Sequence, residues 1–270
     1  MNIPKNGVFF FDSGIGGLTV LAECKKQMPN ETFYYYGDNT RAPYGNLKEE
    51  TILRFVSSAF DAFSFLIPQA AVLACNTATA VCVERLRRKY SFPIVGAEPA
   101  IVSAAKVGGV SLVLTTRATY QSTRFQSLCQ KIEKNYPQCT LLLQPCDGLA
   151  GEIERRIFTP NWDVRPFLPT ATPDSVVLGC THYVYMKEQI AAYYKTKTYD
   201  GNEGMAKRLR YYLEKTPSKA IEITAFDACH YDGIYFVGES KWSNKCVYEQ
   251  MFGVKTPRNG RGVVKCPKNL

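Results

Sequence analysis

Residues 8–20 read VFFFDSGIGGLTV. Four consecutive apolar residues, a polar and glycine-rich break, and then LTV describe one event: a strand buried on both faces ends, the chain turns, and a helix begins. The event recurs. Short apolar runs, rich in β-branched and aromatic residues, stand at 33–36, 71–74, 93–96, 111–114, 141–143 and 175–178. Between the runs lie helical patterns at 18–28, 49–66, 77–90, 99–106, 119–136 and 185–194, with Pro29 and Pro137 stopping the first and fifth of these. Such alternation predicts the α/β class, with mainly parallel sheets wound on both sides by helices.

The chain has 270 residues, enough for one large domain or for two lobes of ~100–150 residues each. A boundary after the fourth run, near Glu98 and Pro99, and a return near 201–205 divide it into a first lobe, 1–98 plus 206–270, and a second, 99–205. With 46% apolar and 21% charged residues, the composition excludes a disordered or fibrous chain. No window approaches 18 consecutive apolar residues, so no transmembrane helix is expected. The opening MNIPKNG lacks the pattern of a signal peptide, and a cytoplasmic location is expected. The net charge of +9 suits nucleic acid, acidic small molecules or solubility, and does not choose among them. Residues 255–270, with five basic and no acidic residues, read as a solvated tail rather than a phosphate-binding arm.

Open parallel sheets bind ligands beyond the carboxyl ends of their strands, so the residues after each run are where chemistry is sought. After the first run come Asp12, Ser13 and a glycine cluster. That cluster misses the dinucleotide fingerprint, because the third glycine would fall at Thr19. It reads either as a tight strand-to-helix turn capped by Asp12 or Ser13, or as a helix start that receives an anion. A carboxylate at the strand tip is awkward for an anion and points instead to an ammonium group or to proton transfer.

The ten cysteines include no CxxC pair, and the chain has two histidines, which argues against zinc ribbons, redox pairs and His-rich metal sites. Most cysteines read as small core residues of a reduced protein. Cys75 and Cys180 differ from the other eight. Each follows an apolar run directly and precedes a Thr-containing helix start, where the helix N-terminus lowers a thiol's pKa from ~8.5. His182 follows Cys180 by two positions, and Asp12 comes near Cys75 if the first and third runs are neighbours in one sheet. Two thiols, each with a proton-handling partner, suit a reaction with one base on either face of a carbon.

The segments FDSGIGGLTV (11–20), GDNTRAPYG (37–45), ACNTATA (74–80) and LGCTHY (178–183) together resemble the cofactor-independent glutamate racemases. The resemblance runs from residue 7 to about residue 213 and implies two pseudo-symmetric α/β lobes with the active site between them. It implies that Cys75 and Cys180 are the two acid/base thiols, assisted by Asp12 and His182. Asp12, Ser13, Pro43, Tyr44, Gly45, Cys75, Asn76, Thr77, Cys180, Thr181 and His182 would contact the amino acid. A further assisting Glu falls at Glu154 in CDGLAGEIE (146–154), with Glu152 as its rival.

No metal and no organic cofactor are implied. The expected partner is L- or D-glutamate, with neither membrane nor nucleic acid, and a homodimer is compatible. The D-isomer would feed peptidoglycan precursors. Ala78, Thr79 and Ala80 stand where aspartate racemases usually place a His, which favours glutamate. The remaining rivals are a racemase of another acidic amino acid, a non-catalytic module binding acidic ligands or nucleic acid, and a redox sensor.

Overall fold

The computed structural model describes residues 3–4, 6–215, 222–223 and 227–253. In chain order the first part comprises β1 (Ile3–Pro4), β2 (Val8–Asp12), α1 (Leu18–Gln27), β3 (Phe33–Gly37), α2 (Glu49–Phe63), β4 (Ala70–Leu73), α3 (Asn76–Lys89) and β5 (Ile94–Gly96). There follow α4 (Ile101–Ala105), β6 (Gly109–Thr115), α5 (Arg117–Gln121), α6 (Thr123–Asn135), β7 (Cys139–Pro145), α7 (Leu149–Arg156), β8 (Ser175–Leu178), α8 (Lys187–Tyr194) and β9 (Lys197–Tyr199). The chain then continues through α9 (Asn202–Lys215), β10 (Glu222–Ile223), β11 (Ala228–Tyr231), β12 (Ile234–Val237) and α10 (Lys241–Met251). The basic tail at 255–270 lies outside the described residues.

Two larger sheets carry the molecule. One has the order β11-β12-β3-β2-β4-β5 and the other β7-β6-β8-β9; all their pairings are parallel except β11 with β12. A short antiparallel pair joins β1 to β10. The series β2, β3, β4, β5 lies in the order 3-2-4-5, and the series β6, β7, β8, β9 lies in the equivalent order 7-6-8-9. The two lobes thus repeat one topology. In each, the first and third strands of the series are central neighbours, and their carboxyl ends form a switch point. Cys75 follows the third strand of one series, and Cys180 the third strand of the other.

Val8, Phe9, Phe10 and Phe11 are each at most 1% exposed, as a central strand covered on both faces requires. Val8 and Phe10 join one core with α1, α9 and α10, whereas Phe9 and Phe11 join the opposite core with α2 and α3. Each fully buried Phe contributes about 2 kcal/mol relative to an exposed one. In the second lobe, Leu112 and Leu114 pack beneath α7 and α8, and Val113 packs with α4 and α6. From α9, Met205, Ala206, Leu209 and Leu213 enter the core of α1.

Some elements differ from the sequence reading. The helix expected over 119–136 is divided at Ser122, whose hydroxyl accepts the Phe125 N–H at 3.2 Å and so caps a new helix. The helix expected over 49–66 ends at Phe63, and a 3₁₀ turn closes on left-handed Ile67. The helix expected from 185 begins at Lys187, after a 3₁₀ turn over Thr181–Met186. Cys139 opens β7, Cys229 lies in β11 and Cys246 in α10. No helix among the described residues is long and apolar enough to cross a membrane.

Candidate active site

β2 delivers Asp12 to its carboxyl end, fully buried, with Oδ1 accepting the Gly14 N–H at 2.9 Å. Burial raises this carboxyl's pKa to about 6; the nearby His182 charge and the backbone N–H groups pull the other way. The adjacent β4 delivers Cys75 as the N-cap of α3. Its sulfur accepts from the Ala78 N–H and from the Ser13 hydroxyl, each at 3.4 Å. Both donors lower the thiol's pKa, but burial and the Asp12 charge outweigh them and push it up to about 12. The lowering expected from the helix N-terminus is therefore corrected: in a sealed site, desolvation is the larger effect.

Cys180 caps the turn after β8 and is 6% exposed. His182, on that turn, places Nδ1 3.7 Å from the Cys180 sulfur and Nε2 2.6 Å from Glu154 Oε1. Burial alone would lower the imidazole's pKa, but its bonds to Cys180 and Glu154 raise it well above the ordinary value. Glu154 comes from α7 and also accepts the Ile15 N–H at 2.9 Å. Glu152, two residues earlier on the same helix, is turned elsewhere and pairs with Arg155 and Arg156. The His182 partner is thus Glu154.

The lobes close on each other through these same groups. Thr181 Oγ1 donates to Asp12 Oδ2 at 3.4 Å. Gly14 and Gly16 allow the approach: a Cβ on Gly14 would collide with Glu154, and one on Gly16 would stand 2.6 Å from His182 Nδ1. The glycine cluster therefore serves close contact between lobes rather than a phosphate. Pro43 lies against Gly151 of α7, and Gly45 against Thr116. Tyr44 donates to Asp38 at 2.5 Å, which Arg41 also contacts at 3.0 Å. Asn76 lines a narrow cavity with Cys180 and Thr181, and its buried Oδ1 has no hydrogen-bond partner.

The sequence reading missed Thr116 and Thr119. Thr77 Oγ1 lies 2.8 Å from Thr116 Oγ1 and 3.3 Å from Thr119 Oγ1, so three buried hydroxyls from two lobes converge. The signal was present. Thr116 follows the first strand of the second series, the position Asp12 approaches in the first. Eight cysteines from Cys24 to Cys229 are buried thiols. Among the described residues, no cluster of three His, Cys, Asp or Glu side chains is arranged to hold a metal.

The family model for Asp/Glu/hydantoin racemases matches residues 20–209. The chain belongs to that family. A glutamate racemase of Clostridium perfringens is 39% identical over 76% of this chain and 82% of its own length. One from Clostridium acetobutylicum is 33% identical over 80% of this chain and 87% of its own length. Among solved structures, Escherichia coli glutamate racemase, in complex with L-glutamate and the activator UDP-MurNAc-Ala, superimposes with a TM-score of 0.72 at 31% identity, covering 83% of this chain and 87% of that one. The Campylobacter jejuni glutamate racemase gives a TM-score of 0.72 at 25% identity, over 93% and 99% of the two chains. In this racemase-family chain the matched span contains Cys75, Glu154, Cys180 and His182, and Asp12 lies just before it.

Proposed function

We propose that this racemase-family protein interconverts L- and D-glutamate by proton transfer at Cα between two thiols, without a cofactor. The observation that carries the proposal is the pairing of thiols across the lobes. Cys75 ends one strand series beside Asp12, and Cys180 ends the matching series beside His182 and Glu154. A substrate held between them presents one face of Cα to each sulfur. One thiolate removes the α-proton while the opposite thiol delivers its own, which inverts the carbon.

Each thiol has a group able to exchange its proton. Asp12, with a pKa raised to about 6, can take or return the Cys75 proton near neutrality. His182, whose pKa is raised by its bonds to Cys180 and Glu154, can give a proton to the Cys180 thiolate and, once neutral, take it back. The buried Asn76 Oδ1 and the Asp12 carboxylate suit an ammonium group, and the hydroxyls of Thr77, Thr116 and Thr119 suit a carboxylate. Ser13, Pro43, Tyr44, Gly45 and Thr181 complete the proposed substrate shell. The proposed lobe division, 1–98 with 206–270 against 99–205, rests on the separate cores of the two sheets. The proposed role is to supply D-glutamate for peptidoglycan precursors in the cytoplasm.

Circular dichroism of L-glutamate incubated with the purified protein and no added cofactor tests this reading. The signal is expected to decay to zero. A signal that persists for L-glutamate but decays for L-aspartate would reassign the substrate. Persistence for both would leave a binding module.

A further inference from the structure

The peptide between Gly14 and Ile15 is bonded from both lobes. Its oxygen, the Gly14 carbonyl, accepts from the Tyr35 hydroxyl at 2.7 Å. Its N–H, that of Ile15, donates at 2.9 Å to Glu154 Oε1, the same oxygen that lies 2.6 Å from His182 Nε2. His182 Nδ1 in turn stands 3.7 Å from the Cys180 sulfur. A trans peptide is planar, with its C=O and N–H pointing opposite ways. One continuous chain therefore runs from Tyr35 through this peptide, Glu154 and His182 to Cys180. The neighbouring peptides are separate planes. The Gly14 N–H, which donates to Asp12 Oδ1 at 2.9 Å, belongs to the peptide before, and the Ile15 carbonyl, which accepts from Tyr185 at 2.8 Å, to the peptide after.

Tyr35 is a firm anchor for this plane. It lies on β3, is fully buried, and packs its ring 6.1 Å from that of Phe236 in the first-lobe core. The peptide itself follows Gly14, whose missing Cβ leaves room for Glu154 and leaves the backbone there less restrained than at any other residue type. We infer that Tyr35 is a positioning residue for the Cys180 face, holding Glu154 against His182 through the Gly14–Ile15 peptide, although it belongs to the lobe that carries Cys75; the inference rests on the racemase reading above. Hydrogen bonds arranged head to tail polarise one another, so donation to the carbonyl also strengthens the N–H as a donor to Glu154. The Tyr35 hydroxyl donates to a carbonyl, so it orients the site rather than moving a proton.

The first readout is the titration of the His182 ring in the full chain without substrate, followed by imidazole nitrogen NMR. His182 and His230 are the two histidines, so His182→Asn assigns the signals. The groups facing His182 are Cys180 on its own turn, Glu154 from α7 and Asp12 from the end of β2. Tyr35→Phe keeps the buried ring but frees the peptide plane. Glu154 then turns from the imidazole, and the ring's midpoint is expected to fall by about half a pH unit or more. In a Glu154→Gln background that shift should vanish, whereas an effect that bypasses Glu154 would add. A midpoint that rises would show the Ile15 N–H to compete with the ring for Glu154 rather than to hold it there.

The second readout separates the two faces. Cys75→Ser leaves Cys180 to exchange the α-proton of one enantiomer, and Cys180→Ser leaves Cys75 to exchange that of the other. Adding Tyr35→Phe is expected to slow deuterium exchange by Cys180 roughly tenfold and to change exchange by Cys75 less than about twofold. Damage to first-lobe packing would instead slow Cys75, on whose lobe Tyr35 lies. A ring midpoint that is unmoved or rises, a shift that persists without Glu154, or an exchange loss equal on both faces overturns the inference. If neither single-thiol variant exchanges glutamate with Tyr35 intact, the racemase reading fails. The ring titration needs no turnover and still decides whether Tyr35 holds Glu154.

Discussion

Glu154 Oε1 lies 2.6 Å from His182 Nε2, a contact within the second lobe that the first lobe completes by donating the Ile15 N–H to the same oxygen. Closing the lobes therefore sets the charge environment of the imidazole. Glu154→Gln removes one of the two partners that raise the ring's pKa, and is expected to reduce kcat by about 10²-fold or more. Glu152→Gln breaks exposed pairs with arginines and is expected to change kcat by less than about twofold. Steady-state kinetics of the two variants decide between these carboxylates. The pH dependence has a definite sign. The ring's folded pKa is raised, so its stabilising contribution is full below about pH 6.5 and fades as pH rises through the folded value. The stability gap between wild type and Glu154→Gln should widen as pH falls from about 9 to 6.5, as denaturant melts would show.

Asp12 is ionised at a cost in stability. Its folded pKa of about 6 stands above the ordinary 3.8, so the folded state disfavours the charged form. A raised carboxyl contributes stability at low pH and loses it as pH rises through the folded value. Asp12→Asn keeps an oxygen for the Gly14 N–H but removes the charge. It should stabilise the protein above pH 7 by up to about 3 kcal/mol, with no gain below about pH 4, while activity falls at least 10²-fold. Melting curves at both pH values check the sign. A loss of stability at pH 8 would show Asp12 to be a needed helix cap instead.

Gly16→Ala asks whether the glycine cluster serves lobe contact. The added methyl would meet Thr181 Oγ1 and stand 2.6 Å from His182 Nδ1. Both belong to the other lobe, so the clash is relieved by separating the lobes rather than by unfolding. A displacement of about 1 Å in a catalytic constellation costs on the order of 10²-fold in rate. The expected result is that loss in kcat/KM with a melting temperature within about 5 °C of wild type. A fall in melting temperature large enough to unfold the protein under assay conditions would make Gly16 a folding residue.

The fold was legible where both faces of a strand are buried, because runs such as VFFF at 8–11 and SVVL at 175–178 admit one reading. It was not legible where an element is short or its pattern is broken. β9 is only KTY, without an apolar run, and α7 begins after Gly148 at φ +79° and carries Gly151 inside. For the candidate site, the strand-end rule singled out Asp12, Cys75 and Cys180, which stand at or just after the ends of β2, β4 and β8. Glu152 and Glu154 lie two apart on α7, which turns them to different sides, and the side facing the other lobe is a tertiary fact. The Cys75 pKa was misread for a similar reason: the helix N-terminus is visible in the sequence, whereas complete burial depends on the second lobe.

Isotope exchange counts the bases. If one thiol both removed and returned the α-proton, deuterium from D₂O would enter the starting enantiomer during early turnover. With Cys75 and Cys180 on opposite faces, the intermediate takes its proton from the far thiol, which already carries a solvent deuteron. Label should then appear first at Cα of the product, with remaining substrate almost unlabelled. Cys75→Ser and Cys180→Ser should each nearly abolish racemisation, because a serine hydroxyl is too weak an acid to form a comparable base near pH 7. The surviving thiol keeps its partner, Asp12 for Cys75 or His182 for Cys180, and can still exchange the proton of the enantiomer it faces. The two serine variants are therefore expected to exchange opposite enantiomers, each without inversion. Mass spectrometry of the separated enantiomers reads this directly. Early deuterium in recovered substrate with the wild-type protein, or near-normal racemisation by either serine variant, would remove the two-thiol mechanism.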